Sequence, residues 1–127
     1  MKQLFLFIFF CHSIQLFSQN RKDIIYRIEG KIESPAYTPY NVSILTLKED
    51  GNYHIKYQEY ASKKMIKKNI LLNLDSEKGT WKKSNDTIYL RDNNVKKNTK
   101  FFIKNKNKIA LVIRDIDVSS SNWIRIQ

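Results

Sequence analysis

The chain has 127 residues, of which 23 are Lys or Arg and 12 are Asp or Glu, so its formal net charge at neutral pH is +11. This length suits one domain, and the single cysteine, Cys11, excludes a fold held together by internal disulfides. The basic charge has two interpretations. In the first, the charge reflects genome composition, because Lys, Asn and Ile, which share A/T-rich codons, are all abundant, and 18 of the 23 basic residues are Lys. Alternatively, the charge serves to bind an anionic partner.

The N-terminal 20 residues have the pattern of a secretory signal. Lys2 is followed by an unbroken apolar run over residues 4–10 and then by a polar stretch that ends at Asn20. A bilayer span needs about 20 apolar residues, so this run is too short to be one, and its order of charge, apolar run and small residue is typical of export. We therefore predict a signal peptide over residues 1–18 and a periplasmic or extracellular mature chain without a transmembrane segment.

A lipid anchor on Cys11 is the less favoured alternative for the same segment. A lipoprotein signal needs small residues directly before the acylated cysteine, and Phe9 and Phe10 occupy those positions. Removal of residues 1–18 takes away Lys2 and lowers the net charge from +11 to +10. The mature chain then contains no cysteine, so packing and strand pairing alone must hold it together.

Residues 19–127 predict a single antiparallel β domain. Alternating apolar and polar side chains, or short apolar runs between turn residues, predict strands at 23–32, 41–48, 53–60, 79–83, 87–90, 101–104, 109–113 and 123–126. Residues 61–73 fit either a short helix or a connection that leads into a strand over 70–74. Residues 75–78 are predicted as a polar turn, and 92–100 and 116–121 as loops. About eight short strands with turns between them indicate a sandwich or barrel.

Two segments carry a family resemblance. Residues 45–53 form a strand, an Asp-Gly turn and an aromatic strand, and residues 79–90 contain G-x-W-K, a polar turn and D-T-hydrophobic-x-L. In these segments the chain resembles small exported lipocalin-like proteins of flavobacterial type. The resemblance implies a β-meander curled into a barrel or half-barrel. It implies no substrate and no particular binding residue.

Few side chains of the mature chain suit catalysis or metal binding. His54 is its only histidine, and strand alternation turns it outward beside Lys56 and Gln58, so we predict no catalytic residue. A zinc site needs several Cys or His ligands, and phosphate loops need closely spaced glycines, so we predict neither a metal site nor a cofactor. Among the aromatic residues, Tyr53, Tyr57 and Trp81 are the candidates for lining a pocket.

These observations favour an exported, non-enzymatic barrel-like domain that binds a small ligand or a protein partner. The alternative is a basic anion-binding module for nucleic acid, lipopolysaccharide or acidic polysaccharide. That alternative uses the lysines of residues 63–68 and 96–108, which would have to share one face. A secreted hydrolase is the third possibility, and it needs two carboxylates about 5–10 Å apart in a cleft.

The signal peptide gives the first prediction. Protein recovered after export is expected to begin at Gln19, because Ser18 supplies the small residue at the cleavage point. N-terminal sequencing of the native protein measures this directly. An intact Met1 on the exported protein would contradict the prediction.

Overall fold

The computed structural model describes residues 22–31, 38–94, 97–113 and 117–127; the predicted signal peptide lies outside these ranges. The described ranges contain eight strands and one short helix. In chain order they are β1 (Ile24–Lys31), β2 (Tyr40–Leu47), β3 (Asn52–Tyr60), α1 (Lys63–Lys67), β4 (Asn73–Ser84), β5 (Thr87–Asp92), β6 (Asn98–Asn105), β7 (Lys108–Ile113) and β8 (Asp117–Arg125). No helix in these ranges has the length and apolar content needed to cross a membrane.

The strands form a closed antiparallel barrel in which each one pairs with its neighbours in the sequence. The barrel closes between β1 and β8, where Tyr26 is opposite Arg125 and Arg27 is opposite Ile124. Beyond this register, the amide of Ile25 donates to the carbonyl of Gln127 at 2.9 Å. The predicted all-β antiparallel barrel is therefore confirmed, and the sheet closes completely.

Two tight turns connect strands where the sequence predicts them. The β2–β3 turn contains Gly51 with φ of +90°, a conformation that glycine adopts without steric cost. In the same turn, the Asp50 carboxylate accepts a hydrogen bond from the amide of Asn52 at 2.9 Å. The β4–β5 turn places Asn85 at φ of +53°, which asparagine tolerates better than most residues. Short turns of this kind keep successive strands adjacent and so favour a meander.

A cluster of buried apolar side chains fills the middle of the barrel. Its members are Tyr26, Leu45, Leu47, Tyr53, Ile55, Ile88, Leu90, Phe101, Ile109 and Trp123. Phe101 and Trp123 meet edge to face, with ring centroids 5.4 Å apart, an arrangement that adds about 1 kcal/mol to the burial itself. Each large apolar side chain that is fully buried contributes roughly 1.5–3 kcal/mol. This cluster is what replaces disulfides in stabilising the barrel.

Two predicted connections are instead strand. Residues 75–78, predicted as a polar turn, lie inside β4, and part of the predicted loop over 116–121 belongs to β8, which begins at Asp117. A strand is recognisable in the sequence when one of its faces is apolar, and in the first half of β4 Leu74 is the only apolar residue. Its strand conformation comes from pairing with β3 over eight consecutive positions, from Asn52 with Thr80 to Glu59 with Asn73. The ambiguous segment before it forms α1 and then a short connection to β4.

Gly79 occupies a position where the barrel has no room for a side chain. It pairs with Tyr53 on one side and with Asp92 on the other. A Cβ atom built there would collide with the carbonyl oxygen of Arg91 and would lie 2.6 Å from Cε1 of Tyr53. The Tyr53 ring therefore depends on the missing side chain at Gly79 for its place in the core.

Gly79→Ala is expected to destabilise the barrel by about 3 kcal/mol, because backbone atoms of β5 cannot move aside as a flexible side chain would. Urea unfolding measures the loss as a lower midpoint. Gly30→Ala is the matched control, since nothing lies within 4 Å of a Cβ atom at that position. Equal midpoints for the two variants would show that the close packing at Gly79 is unimportant.

Candidate functional site

The outer surface of β4, β5 and β6 carries a row of cationic and aromatic side chains. Alternation along β5 buries Ile88 and Leu90 in the core and turns Tyr89 and Arg91 outward, as the sequence predicts. Tyr89 is directly opposite Lys82 on β4 and Lys100 on β6. The three outward side chains therefore form one line across three strands.

The two lysines in this row both lie close to the Tyr89 ring. The Nζ atom of Lys82 is 5.7 Å from the ring centroid, and that of Lys100 is 5.8 Å from it. These distances are within the range of cation–π attraction, which is worth about 0.5–1 kcal/mol per pair at exposed sites. The ring thus holds two ammonium groups at neighbouring positions. Arg91 extends the positive charge into the next row, where it is opposite Thr80 and Asn98.

This surface is concave. We call it the outer groove, and its volume is about 430 Å³. It is lined by Thr80, Trp81, Lys82, Tyr89, Leu90, Arg91, Asn98, Thr99 and Lys100. Three of these nine residues are basic and two are aromatic. The volume is within the range of small-ligand sites, about 300–1,000 Å³. The groove therefore combines a suitable size with positive charge and the ring of Tyr89, while Trp81, paired with the buried Leu90, packs against the core cluster.

A second polar cluster lies on the inward side of β3, β4 and β5. Tyr53 is buried, and its hydroxyl donates to Oε2 of Glu77 at 3.2 Å. Glu77 also shares a hydrogen bond with the buried carboxyl group of Asp92. Two carboxyl groups can hydrogen-bond only when one of them carries a proton. Burial raises the pKa of Glu77, and the hydrogen bond with Asp92 raises it further.

The tyrosines of this cluster keep their protons. Burial and the neighbouring Glu77 carboxylate raise the pKa of Tyr53 well above its usual value. Burial followed by the charges of Glu77 and Asp75 raises the pKa of Tyr57 to about 12. Both phenols are consequently neutral hydrogen-bond donors at physiological pH. In this cluster a neutral Tyr53 donates to Glu77, whose pKa is raised.

The geometry of the carboxyl pair differs from that of a glycoside hydrolase. The two catalytic carboxyl groups of such enzymes are about 5–10 Å apart, whereas Glu77 and Asp92 hydrogen-bond each other. Within the described ranges, no group of three or more His, Cys, Asp or Glu side chains is arranged to hold a metal ion.

The three aromatic residues predicted to line a pocket are distributed over different surfaces. Tyr53 is in the core, while Tyr57, which is 40% exposed, lines a shallow cavity of about 200 Å³ together with Ser43 and Asp75. Trp81 lines the outer groove and also an end cavity of about 240 Å³, and its indole donates to the carbonyl of Lys48 at 2.7 Å. The structure brings Tyr53 and Tyr57 to one face of β3, and Trp81 packs against the core cluster to which Tyr53 belongs. Their role in ligand binding stays a prediction.

His54 is half-buried on the opposite face of β3 from Tyr53. Burial lowers the pKa of His54, and the positive charges of Lys56, Lys78 and Lys48 lower it further. The imidazole is therefore neutral at physiological pH. Since His54 and Glu77 are on opposite faces of the sheet, they do not form a catalytic pair with each other.

The two lysine-rich segments do not form one face. The lysines of α1 adjoin β3, whereas Lys100, Lys104 and Lys108 are on β6 and β7, and strands β4 and β5 separate the two groups. Of these three, only Lys100 lines the outer groove. Sequence reasoning missed Lys82 and Arg91 as its partners. The alternation along β5 indicates the outward position of Tyr89 and Arg91. The register between strands, which places Lys82 and Lys100 beside Tyr89, cannot be obtained from the sequence.

Comparison with known proteins identifies a fold likeness and no family. No protein-family model matches the chain, and no curated protein matches it by sequence. Among solved structures, it is similar to the Cpx pathway activator NlpE from Escherichia coli, with a TM-score of 0.54 and 14% identity. The match covers 76% of this chain and 46% of that one. At this identity the likeness shows the fold alone.

The carboxyl pair predicts a pH-dependent stability. An unfolded glutamate titrates near 4.5, and in the folded barrel Glu77 keeps its proton to a higher pH. Between these two values the folded state binds more protons, so stability falls as pH rises through that window. Glu77→Gln keeps an acceptor for Tyr53 and removes the charge. We expect the variant to unfold at a higher temperature than the wild type at neutral pH.

The advantage of Glu77→Gln is expected to disappear below the ordinary glutamate pKa of 4.5, where the wild-type carboxyl is protonated in both states. Thermal unfolding across the pH range measures this. Glu49→Gln, on the exposed β2–β3 turn, is the control for a simple change of net charge. A loss of stability in Glu77→Gln at neutral pH would mean that the carboxylate itself stabilises the barrel.

Proposed function

We propose that this protein is an exported, non-enzymatic barrel domain that binds an anionic ligand or an anionic partner in the outer groove. The observation that carries the proposal is the row formed by Lys82, Tyr89 and Lys100, with Arg91 in the adjacent row. It places two ammonium groups on one aromatic ring and a guanidinium group beside them. Carboxylate, sulfate and phosphate groups are the chemistry that such a surface recognises.

The outer groove is a better candidate than the barrel interior. An eight-stranded barrel has an interior just large enough for side chains or for one small ligand. Here the middle is occupied by the core cluster, in which Leu45 and Ile109 have no exposed surface and Phe101 has 2%. A ligand in that position would have to displace this packing. Binding on the outer surface needs no such rearrangement.

Aromatic and cationic groups together favour a ligand that has both charge and a flat or ring-shaped body. Tyr89 presents a ring that lies close to both of its lysine neighbours. Acidic polysaccharides combine sugar rings with carboxylate or sulfate groups. They therefore fit the groove better than a purely apolar small molecule does.

Export supports this choice of ligand. The segment over residues 1–18 has the pattern of a secretory signal, and the resemblance to exported lipocalin-like proteins of flavobacterial type points the same way. A protein outside the cytoplasm meets acidic polysaccharides of cell surfaces and extracellular matrices. The compartment and the flavobacterial resemblance are part of the proposal.

Heparin binding tests the groove directly. The double variant Lys82→Gln with Lys100→Gln removes two charges from the groove, and Lys56→Gln with Lys104→Gln removes two charges from outward positions elsewhere. The groove variant is expected to elute from heparin at clearly lower salt than the control. The slope of log affinity against log salt should fall by roughly two, one unit for each lost contact.

The control variant should show wild-type thermal unfolding, whereas the groove variant should unfold at a slightly lower temperature, because two cation–π contacts of about 0.5–1 kcal/mol each are lost. If the two variants elute at the same salt concentration, the interaction depends on bulk charge and the proposal is wrong. Retention of the wild type only at very low salt would lead to the same conclusion.

A further inference from the structure

The connection between β3 and β4 exposes aliphatic side chains next to a group of lysines. Residues 63–74, which we call the docking segment, contain Lys63, Lys64, Lys67 and Lys68 and no acidic residue. Four aliphatic side chains follow within five positions, and their exposed fractions are 54% for Ile70, 40% for Leu71, 56% for Leu72 and 54% for Leu74. Single exposed apolar residues are ordinary on protein surfaces, but a contiguous group is a sign of an interaction site.

The exposed aliphatic residues follow a helix end whose backbone conformation is well defined. Helix α1 ends at a left-handed residue, Asn69, with φ of +55°. The amide of Ile70 donates to the carbonyl of Met65 at 3.0 Å, and that of Asn69 to the carbonyl of Ile66 at 3.1 Å. This pair of bonds is the Schellman arrangement that ends many helices. The turn therefore directs the chain from the lysines to the aliphatic residues in a fixed geometry.

A further hydrogen bond attaches the docking segment to the barrel. The amide of Leu72 donates to the carbonyl of Glu59 on β3 at 2.8 Å. The aliphatic side chains are consequently held at the surface beside a fixed point of the sheet. They do not belong to the core cluster, and helix α1 has no buried residue.

We propose that the docking segment binds the barrel to the surface of an anionic lipid bilayer. Segments that lie in the membrane interface combine aliphatic residues, which enter the boundary between headgroups and acyl chains, with lysines that face anionic headgroups. Each lysine near such a surface strengthens binding by about fivefold. Four lysines and four exposed aliphatic residues in twelve positions supply both contributions.

A protein partner fits the same surface less well. Lysine is depleted from protein–protein interfaces, and stable interfaces bury more than about 1,000 Å² in total. A short segment in which four of the first six residues are lysine does not have that composition. The inference is independent of the outer groove, because none of the residues that line the groove belongs to the docking segment.

Vesicle sedimentation tests the proposal with protein that has been exported from cells expressing the full chain. We expect it to sediment with phosphatidylcholine vesicles that contain phosphatidylglycerol and to remain in solution with phosphatidylcholine alone. Leu71→Ser with Leu72→Ser should weaken binding by about tenfold, since burial of apolar area is removed. Lys67→Gln with Lys68→Gln should weaken it by at least about tenfold.

The matched control is Lys104→Gln with Lys108→Gln, which removes the same charge from β6 and β7. An equal loss in this control would show that bulk charge causes the binding and would overturn the proposal. No vesicle binding by the wild type, or equal binding to neutral vesicles, would do the same. Self-association that Leu71→Ser with Leu72→Ser abolishes, without vesicle binding, would assign the surface to a second copy of the chain.

Discussion

The barrel depends on the pairing of its first strand with its last. Closure between β1 and β8 rests on a short register and on the hydrogen bond in which the amide of Ile126 donates to the carbonyl of Ile25 at 2.8 Å. Tyr26 and Trp123, which belong to these two strands, are both in the core. If the strands separated, both rings would be exposed to water and two strand edges would be left unpaired. Without cysteines outside the predicted signal peptide, nothing covalent would keep the barrel closed.

A filled interior moves the candidate binding surfaces to the outside. The core residues come from strands all around the barrel, and edge-to-face packing of Phe101 on Trp123 joins β6 to β8. Beyond this core, β4 continues to pair with β3, and polar side chains lie on the inward side. They are Glu77 on β4 and Asp92 on β5. Burial and the neighbouring Asp92 raise the pKa of Glu77 there. The outward faces, which the core does not constrain, are free to carry charge for recognition.

Much of the fold follows from alternation in the sequence, and the remainder depends on pairing. Strands β1, β2, β3 and β5 have one apolar face, so a period of two reveals them. The first half of β4 lacks that face, and only its contact with β3 makes it a strand. The same limit applies to the outer groove. The outward direction of Tyr89 follows from the alternation of Ile88 and Leu90, but its proximity to Lys82 and Lys100 depends on the register of three strands, which local sequence does not contain.

The distribution of charge is more informative than its total. An A/T-rich coding sequence accounts for many lysines without accounting for their positions. On β1, Arg27 meets Glu29 in an ion pair at 2.7 Å, the ordinary way in which a surface balances its charges. In the outer groove the central position of the row is instead a tyrosine, whose ring lies close to two lysines. In the docking segment the neighbours of the lysines are aliphatic. Lysines lie beside an aromatic ring in the outer groove and beside aliphatic side chains in the docking segment. This difference favours two different anionic partners, a ring-bearing polymer at the groove and a lipid surface at the docking segment.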